Sequence, residues 1–196
     1  LVITATEPWE SNSIGGYNAV IQVSANESRL YYACIEGVQH VNGRPCPPGG
    51  PKFCGGDGRI CLATSSDGIQ WVKPNLGIFN WHNSTVNNIL LADSGVSVFI
   101  DRSPKAPASA RWKMACSTAV YGSPDGLRWT RLGNGSVPVH TMDDTSPTAN
   151  WDADNGYTIF TRRDAPGANM RHIARCQTGD FLDWDSSYHD GCPAVF

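Results

Sequence analysis

Short runs rich in β-forming apolar residues are separated by polar turn residues throughout, and no segment keeps an i, i+3, i+4, i+7 apolar stripe through three helical turns. Strands bounded by turn residues are therefore the expected elements. One series reads YNAVIQV (Tyr17 to Val23), RLYYACI (Arg29 to Ile35) and RICLATS (Arg59 to Ser65), then Trp71 beyond an Asp67-Gly68 turn. A second reads NNILLA (Asn87 to Ala92), VSVFID (Val96 to Asp101) and RWKMACST (Arg111 to Thr118), then LRWTRL beyond Asp125-Gly126. A third reads TANWDAD (Thr148 to Asp154), GYTIFTR (Gly156 to Arg162) and MRHIARC (Met170 to Cys176), and ends in TGDFLDW (Thr178 to Trp184). The predicted fold class is all-β.

The three series share a closing phrase: SSDGIQW, SPDGLRW and the looser TGDFLDW. Their acidic residues Asp67, Asp125 and Asp180 lie 58 and 55 residues apart. Four strands per unit at a period of about 55 residues is the pattern of β-propeller blades, small twisted sheets that bury their faces against neighbours. Asp-Gly supplies a hairpin turn in which Gly takes positive φ, and the following Trp re-enters as the outer strand. The Asp of each phrase is thus read as a turn former rather than a catalyst. With units near 10–80, 86–135 and 144–190, residues 1–196 form one partial propeller domain of about three blades. A closed propeller needs at least about four, so the remaining blades are expected from additional chain or from self-assembly.

Composition agrees. Charged residues are 17% of the chain, Gly and Pro together number 33, and seven Trp join six Tyr and six Phe, a turn-rich and aromatic-rich profile. A net charge of −3 gives no electrostatic footprint for nucleic acid. No apolar run approaches the roughly 20 residues of a membrane-spanning helix, so membrane insertion is not expected. The first residues, LVITATEPWE, lack the basic start and apolar centre of a signal peptide, which reads as a processed or partial chain.

Seven cysteines accompany three Asn-x-Ser/Thr sequons, at Asn26, Asn83 and Asn134. Together they favour a secreted, oxidised, glycosylated protein. Candidate disulfides are Cys46 with Cys54, Cys34 with Cys61, and Cys176 with Cys192, leaving Cys116 as the odd thiol; spacing does not determine connectivity. The gaps within Cys46, Cys54 and Cys61 are wider than the tight pairs of zinc sites, so no metal is assigned. No cofactor is expected: a Gly-x-Ser-x-Gly elbow and a phosphate-cradling Gly loop are both missing from the sequence.

The order EPWE, YNAVI, LYYACIEG, ATSSDGIQWVKPNLG, STVNNIL, VFIDRSPKAPASARWKM, GSPDGLRWTRL and DTSPTANWDADNGYTIFTRRD resembles the five-bladed propeller proteins related to the arabinanase, levansucrase and invertase glycosidases, and in particular their secreted branch. The resemblance covers nearly the whole chain and implies about three blades of five. It also implies three carboxylates in a central funnel, because glycosidic cleavage passes through an oxocarbenium-like state flanked by two carboxyl groups. This chain departs from that pattern. Asn87 and Asn88 stand where the stabilising Asp is expected, Asp144 rather than a Glu heads the third unit, and Glu7 and Glu10 lie just before the first inner strand. Asn hydrogen-bonds a hydroxyl but offers no negative charge to the transition state.

Asp144 is therefore the candidate catalytic residue, with a strand-capping role as its alternative. Asn87, Asn88, Glu7, Glu10, Trp9 and Arg162 are candidate ligand contacts; Trp supplies a π face for a sugar ring, and Arg reaches a carboxylate or hydroxyl. Each has a bland counterpart: backbone satisfaction for the Asn pair, core packing for Trp9, and an ion pair for Arg162. Two functions follow. One is an extracellular propeller that binds glycan or polysaccharide in its funnel and, with a degenerate site, is glycoside-hydrolase-like. The other is a structural or adhesive extracellular protein acting through its surfaces, as a subunit of a fibre or surface assembly.

Overall fold

The structure is a computed structural model, and it describes residues 2–11, 13–37, 40–41, 44–45, 56–116, 119–133, 147–164 and 171–182. The chain divides into two compact units, Leu1–Ser94 and Gly95–Phe196. Both are built of antiparallel sheets, with two short 3-10 turns at Pro8–Glu10 and Ala108–Ala110 among the described residues. The all-β expectation holds. Among those residues no helix is long and apolar enough to cross a membrane.

In the first unit β1 (Ser13–Ser24), β2 (Glu27–Gly37), β5 (Gly56–Ser65) and β6 (Ile89–Leu91) form one sheet in the order β1-β2-β5-β6, while β3 (His40–Val41) and β4 (Arg44–Pro45) make a small hairpin. The β2–β5 ladder runs from Ser28 opposite Ser65 to Gly37 opposite Gly56. Every residue from Leu30 to Cys34 is buried, as a central strand covered on both faces requires. Leu30, Tyr32 and Cys34 pack with Trp9, Cys61, Ala63 and Ile89 into one apolar cluster. Cys34 and Cys61 form a disulfide across β2 and β5, with Cα atoms 5.9 Å apart.

Two strands differ from the reading of the pattern. Ile89–Leu91, expected to open the second series, closes the first sheet instead, with Ile60 opposite Leu91 and Cys61 opposite Ile89. The strand expected at Trp71 shrinks to a single bridge between Thr64 and Val72. A three-residue apolar run carries a period but no partner; the partner is decided by contacts distant in sequence, here the fully buried Ile89 and the Leu62 N–H to Asn88 carbonyl bond of 2.9 Å.

The second unit holds β7 (Ser97–Ile100), β8 (Trp112–Ala115), β9 (Val120–Ser123) and β10 (Thr130–Arg131) in the order β10-β9-β8-β7. Val120–Ser123 is a strand that the pattern did not announce, since it begins two residues after RWKMACST; the Cys116 N–H donates to the Ala119 carbonyl at 2.9 Å. Gly122 is required there: a Cβ would lie 2.6 Å from the Ala110 Cβ. A third sheet, β11 (Thr148–Asp152), β12 (Gly156–Asp164) and β13 (Arg171–Thr178), is ordered β11-β12-β13. Ala115 and Val120 of the one sheet share a core with Ala149, Tyr157, Ile159, Ala174, Cys176 and Phe181 of the other and its following turn.

The repeated phrases fold alike. In SSDGIQW the Ser65 Oγ accepts the Gly68 N–H at 2.8 Å, and Asp67 Oδ1 accepts the N–H groups of Ile69 and Gln70 at 2.8 and 2.7 Å. In SPDGLRW, Ser123 takes the Gly126 N–H at 2.9 Å, and Asp125 takes those of Leu127 and Arg128 at 2.8 and 2.9 Å. Gly68 and Gly126 sit at φ 73° and 75°, where a side chain is disfavoured. Asp67 and Asp125 are turn formers, as the sequence indicates.

Candidate functional site

The segment before β1 carries EPWE onto the first sheet. Pro8–Glu10 forms a single turn in which Glu10 accepts the Glu7 N–H at 3.1 Å, so Glu7 and Trp9 are fixed relative to the strands. Glu7, Trp9, Asn87 and Asn88 then line one cavity of about 130 Å³, with Lys73, Pro74, Asn75 and Val86 completing it. Four of the six ligand contacts expected from sequence are thus brought together from segments some 80 residues apart.

Behind this cavity lies a buried polar chain. Trp9 Nε1 donates to Asn88 Oδ1 at 2.8 Å, and Asn88 Nδ2 donates to the Leu62 carbonyl at 2.7 Å and to the Tyr32 hydroxyl at 2.8 Å. Tyr32 in turn donates to Glu10 Oε1 at 2.6 Å. Glu10 Oε2 accepts Lys73 Nζ at 2.6 Å and the Thr6 N–H at 2.9 Å. Glu10 is only 1% exposed and both its oxygens are engaged, so it belongs to the wall of the site and not to its reacting surface. Burial, then the bond to Glu10, push the Tyr32 phenol well above its ordinary value. Asn87 donates from Nδ2 to the Phe79 carbonyl at 2.8 Å and accepts the Ile89 N–H at 3.0 Å, which fixes the entry to β6. Both Asn residues are thus backbone-satisfying, and both also reach the cavity.

The second unit has a chemically parallel cluster. Asp101, fully buried, accepts the Tyr157 hydroxyl at 2.7 Å and Lys113 Nζ at 3.1 Å on Oδ2, and the Ser103 N–H at 2.8 Å on Oδ1. Lys113 also donates to the Ala110 carbonyl. The Tyr157 phenol is pushed up to about 12 by burial and by its bond to Asp101. Sequence reasoning missed Lys73, Tyr32, Asp101, Lys113 and Tyr157. A signal existed for Lys113, a cation inside an otherwise apolar four-residue strand, because a buried charge demands a partner.

The other candidates fall elsewhere. Arg162 lies on β12 opposite Ile173, in the other unit from the cavity of Glu7 and Trp9. Asp144, Asn134, Cys46, Cys54 and Cys192 lie outside the described residues. Asn26 is exposed in the β1–β2 turn, and Asn83 is exposed at φ 65° in the hairpin closed by Trp81 and Ser84. Trp81 is half-buried, its Nε1 donating to Glu36 at 2.9 Å and one face stacked on His82 at 4.2 Å. Cys176 is disulfide-bonded, and among the described residues Cys116 is a buried cysteine outside any disulfide. Among the described residues no three His, Cys, Asp or Glu side chains converge as metal ligands.

Comparison with solved structures places this fold. The chain is similar to a glycosyl hydrolase from Bacteroides ovatus with a TM-score of 0.56 at 14% identity, over 91% of this chain and 52% of that one. A candidate glycoside hydrolase from Bacteroides ovatus gives a TM-score of 0.48 at 12% identity, over 95% of this chain and 53% of that one. The chain therefore spans about half the length of each. No protein-family model matches the sequence, and comparison with curated proteins returns no match.

Proposed function

We propose that the chain is a glycan-binding part of a glycosidase-like β-propeller, about three blades of five, which works outside the cell and holds sugar in the cavity of Glu7, Trp9, Asn87 and Asn88 without cleaving it. The observation that carries this reading is the composition of that cavity: an indole, two amides and a carboxylate converge there, while Glu10 behind them is bonded on both oxygens. Glu7 is the single carboxyl in this lining, short of the pair that glycosidic cleavage uses. At about 130 Å³ the cavity is well below the roughly 300 Å³ of a typical ligand pocket, and so fits one part of a larger cleft. The likeness in fold to a glycosyl hydrolase supports the ligand class. The Cys34–Cys61 disulfide and the exposed sequons at Asn26 and Asn83 support an oxidising, extracellular setting with glycosylation.

Calorimetric titration of the full chain with oligosaccharides from arabinan, levan and xylan, run beside a reducing-sugar assay, tests this. Binding without release of reducing ends is expected, with Glu7→Ala weakening it about tenfold, the scale of one lost polar contact. Release of reducing ends that disappears in Asp144→Asn would make the protein a hydrolase instead. A second reading, a structural or adhesive protein, is favoured by one feature. The twelve-residue β1 is an edge strand of its sheet, with Tyr17 40% and Val20 56% exposed, an arrangement that templates pairing with another chain. A concentration-dependent mass in light scattering, with no sugar bound, would establish that reading.

A further inference from the structure

The third closing phrase departs from residues that the other two share at two positions, Thr178 for Ser and Phe181 for Gly, and the second changes the packing. SSDGIQW and SPDGLRW follow the acid with Gly68 and Gly126, whereas TGDFLDW follows Asp180 with Phe181. The turn survives: the Asp180 N–H donates to Thr178 Oγ1 at 3.2 Å, and the Leu182 N–H to Asp180 Oδ1 at 3.0 Å. Phe181, however, carries a side chain where the others have none, and it points inward, 2% exposed. It meets Phe99 edge-on at 5.8 Å and Tyr157 at 5.3 Å. It becomes one wall of a cavity of about 200 Å³ whose other apolar walls include Ala106, Leu132 and Leu182.

The polar groups of this cavity are placed rather than scattered. Lys113, 3% exposed, lines it with Nζ 5.7 Å from the Phe181 ring centroid, held by Asp101 and the Ala110 carbonyl. Lys105 and Asp180, both exposed, line it from the solvent side. The Lys105 side of the wall is stiffened by Arg111, whose guanidinium donates to the carbonyls of Asp101, Ser103 and Ala106 at 3.0, 3.1 and 2.9 Å. Charges balance: Lys113 against Asp101, Lys105 against Asp180. A ligand with a full charge gains little in such a lining. A neutral one with an apolar face for Phe181, Leu132 and Leu182, and hydroxyls for an ammonium donor and a carboxylate acceptor, matches every group. The volume, below the roughly 300 Å³ of drug-sized pockets, holds one ring.

We infer that this cavity of the Gly95–Phe196 unit is a binding site for one neutral sugar ring, either a free monosaccharide or the terminal residue of a glycan. The ligand class rests on the glycan reading above, but the site is a different cavity in a different unit, so the two fail separately.

Saturation-transfer NMR on the full chain tests it, with arabinose, xylose, glucose and galactose as free probes and their methyl glycosides and oligosaccharides as end-group probes. Transfer to ring C–H protons is expected, weakened about tenfold in Lys105→Ala and lost in Ala106→Leu, which fills the cavity. All spectra are taken in the Glu7→Ala background, where the first cavity contributes little. Response to free sugars alone marks a monosaccharide site, and response to glycosides and oligosaccharides marks an end-group site. Absence of transfer from every neutral sugar, or unaltered transfer in Lys105→Ala, overturns the inference; that variant removes only an exposed side chain and so carries the test if Ala106→Leu does not fold.

Discussion

At the scale of single residues, the acids that the sequence repeats most conspicuously turn out to hold turns. The N–H of Gln70, with that of Ile69, holds the Asp67 carboxyl below its ordinary value. For Asp125, burial pulls upward, and the N–H groups of Arg128 and Leu127 outweigh it. The N–H of Asn155 leads the same lowering at Asp152. A carboxyl depressed in the folded state contributes stability above its unfolded value, and that contribution is lost as pH falls through the folded one. Asp125→Asn is therefore expected to lower the denaturation midpoint at neutral pH, with the gap to the parent closing below about pH 4. Denaturant titrations of both proteins across that range check this. The phenols behave oppositely. Raised in the fold, Tyr32 and Tyr157 contribute stability that is complete below about pH 10 and is lost as pH climbs through their folded values. A spectrophotometric alkaline titration is expected to show these two phenols ionising after the exposed ones, and together with them once the chain is unfolded.

Among the elements, what matters is how a strand tolerates a charge. β8 buries Trp112, Lys113, Met114 and Ala115 alike, and does so only because Asp101, arriving from the end of β7, meets Lys113 there. Lys113→Met leaves a buried carboxylate without its cation, and is expected to destabilise the unit by about 3–5 kcal/mol; Asp101→Asn/Lys113→Met recovers part of that loss because the desolvated charge is gone as well. A double-mutant cycle by denaturant unfolding measures the difference. Strands were legible in the sequence wherever a β-rich run lasted five residues or more, as in β2, β5 and β12. Ile89–Leu91 and Val120–Ser123 were misplaced or missed because three or four residues fix neither a period nor a partner.

For the molecule as a whole, the disulfides set the conditions in which it is stable. Cys34 and Cys61 close a separation of 27 residues across the most buried strands of the first unit. Their joint replacement by Ser is expected to cost about 2–4 kcal/mol, measured as a lowered denaturation midpoint under non-reducing conditions. The sequence by itself determined the all-β class and the turn chemistry of the repeated phrases, because each rests on local runs and turn residues; Cys34 with Cys61 it offered as a candidate pair, which the structure decided. The sequence also named Glu7, Trp9, Asn87 and Asn88. Only the tertiary structure decided that these four share one cavity, that Glu10 is spent on Lys73 and Tyr32, and that a lysine and an aspartate meet inside the second unit. Those are encounters between segments far apart in the chain, and a pattern that repeats every two residues carries no information about which distant residue will stand opposite.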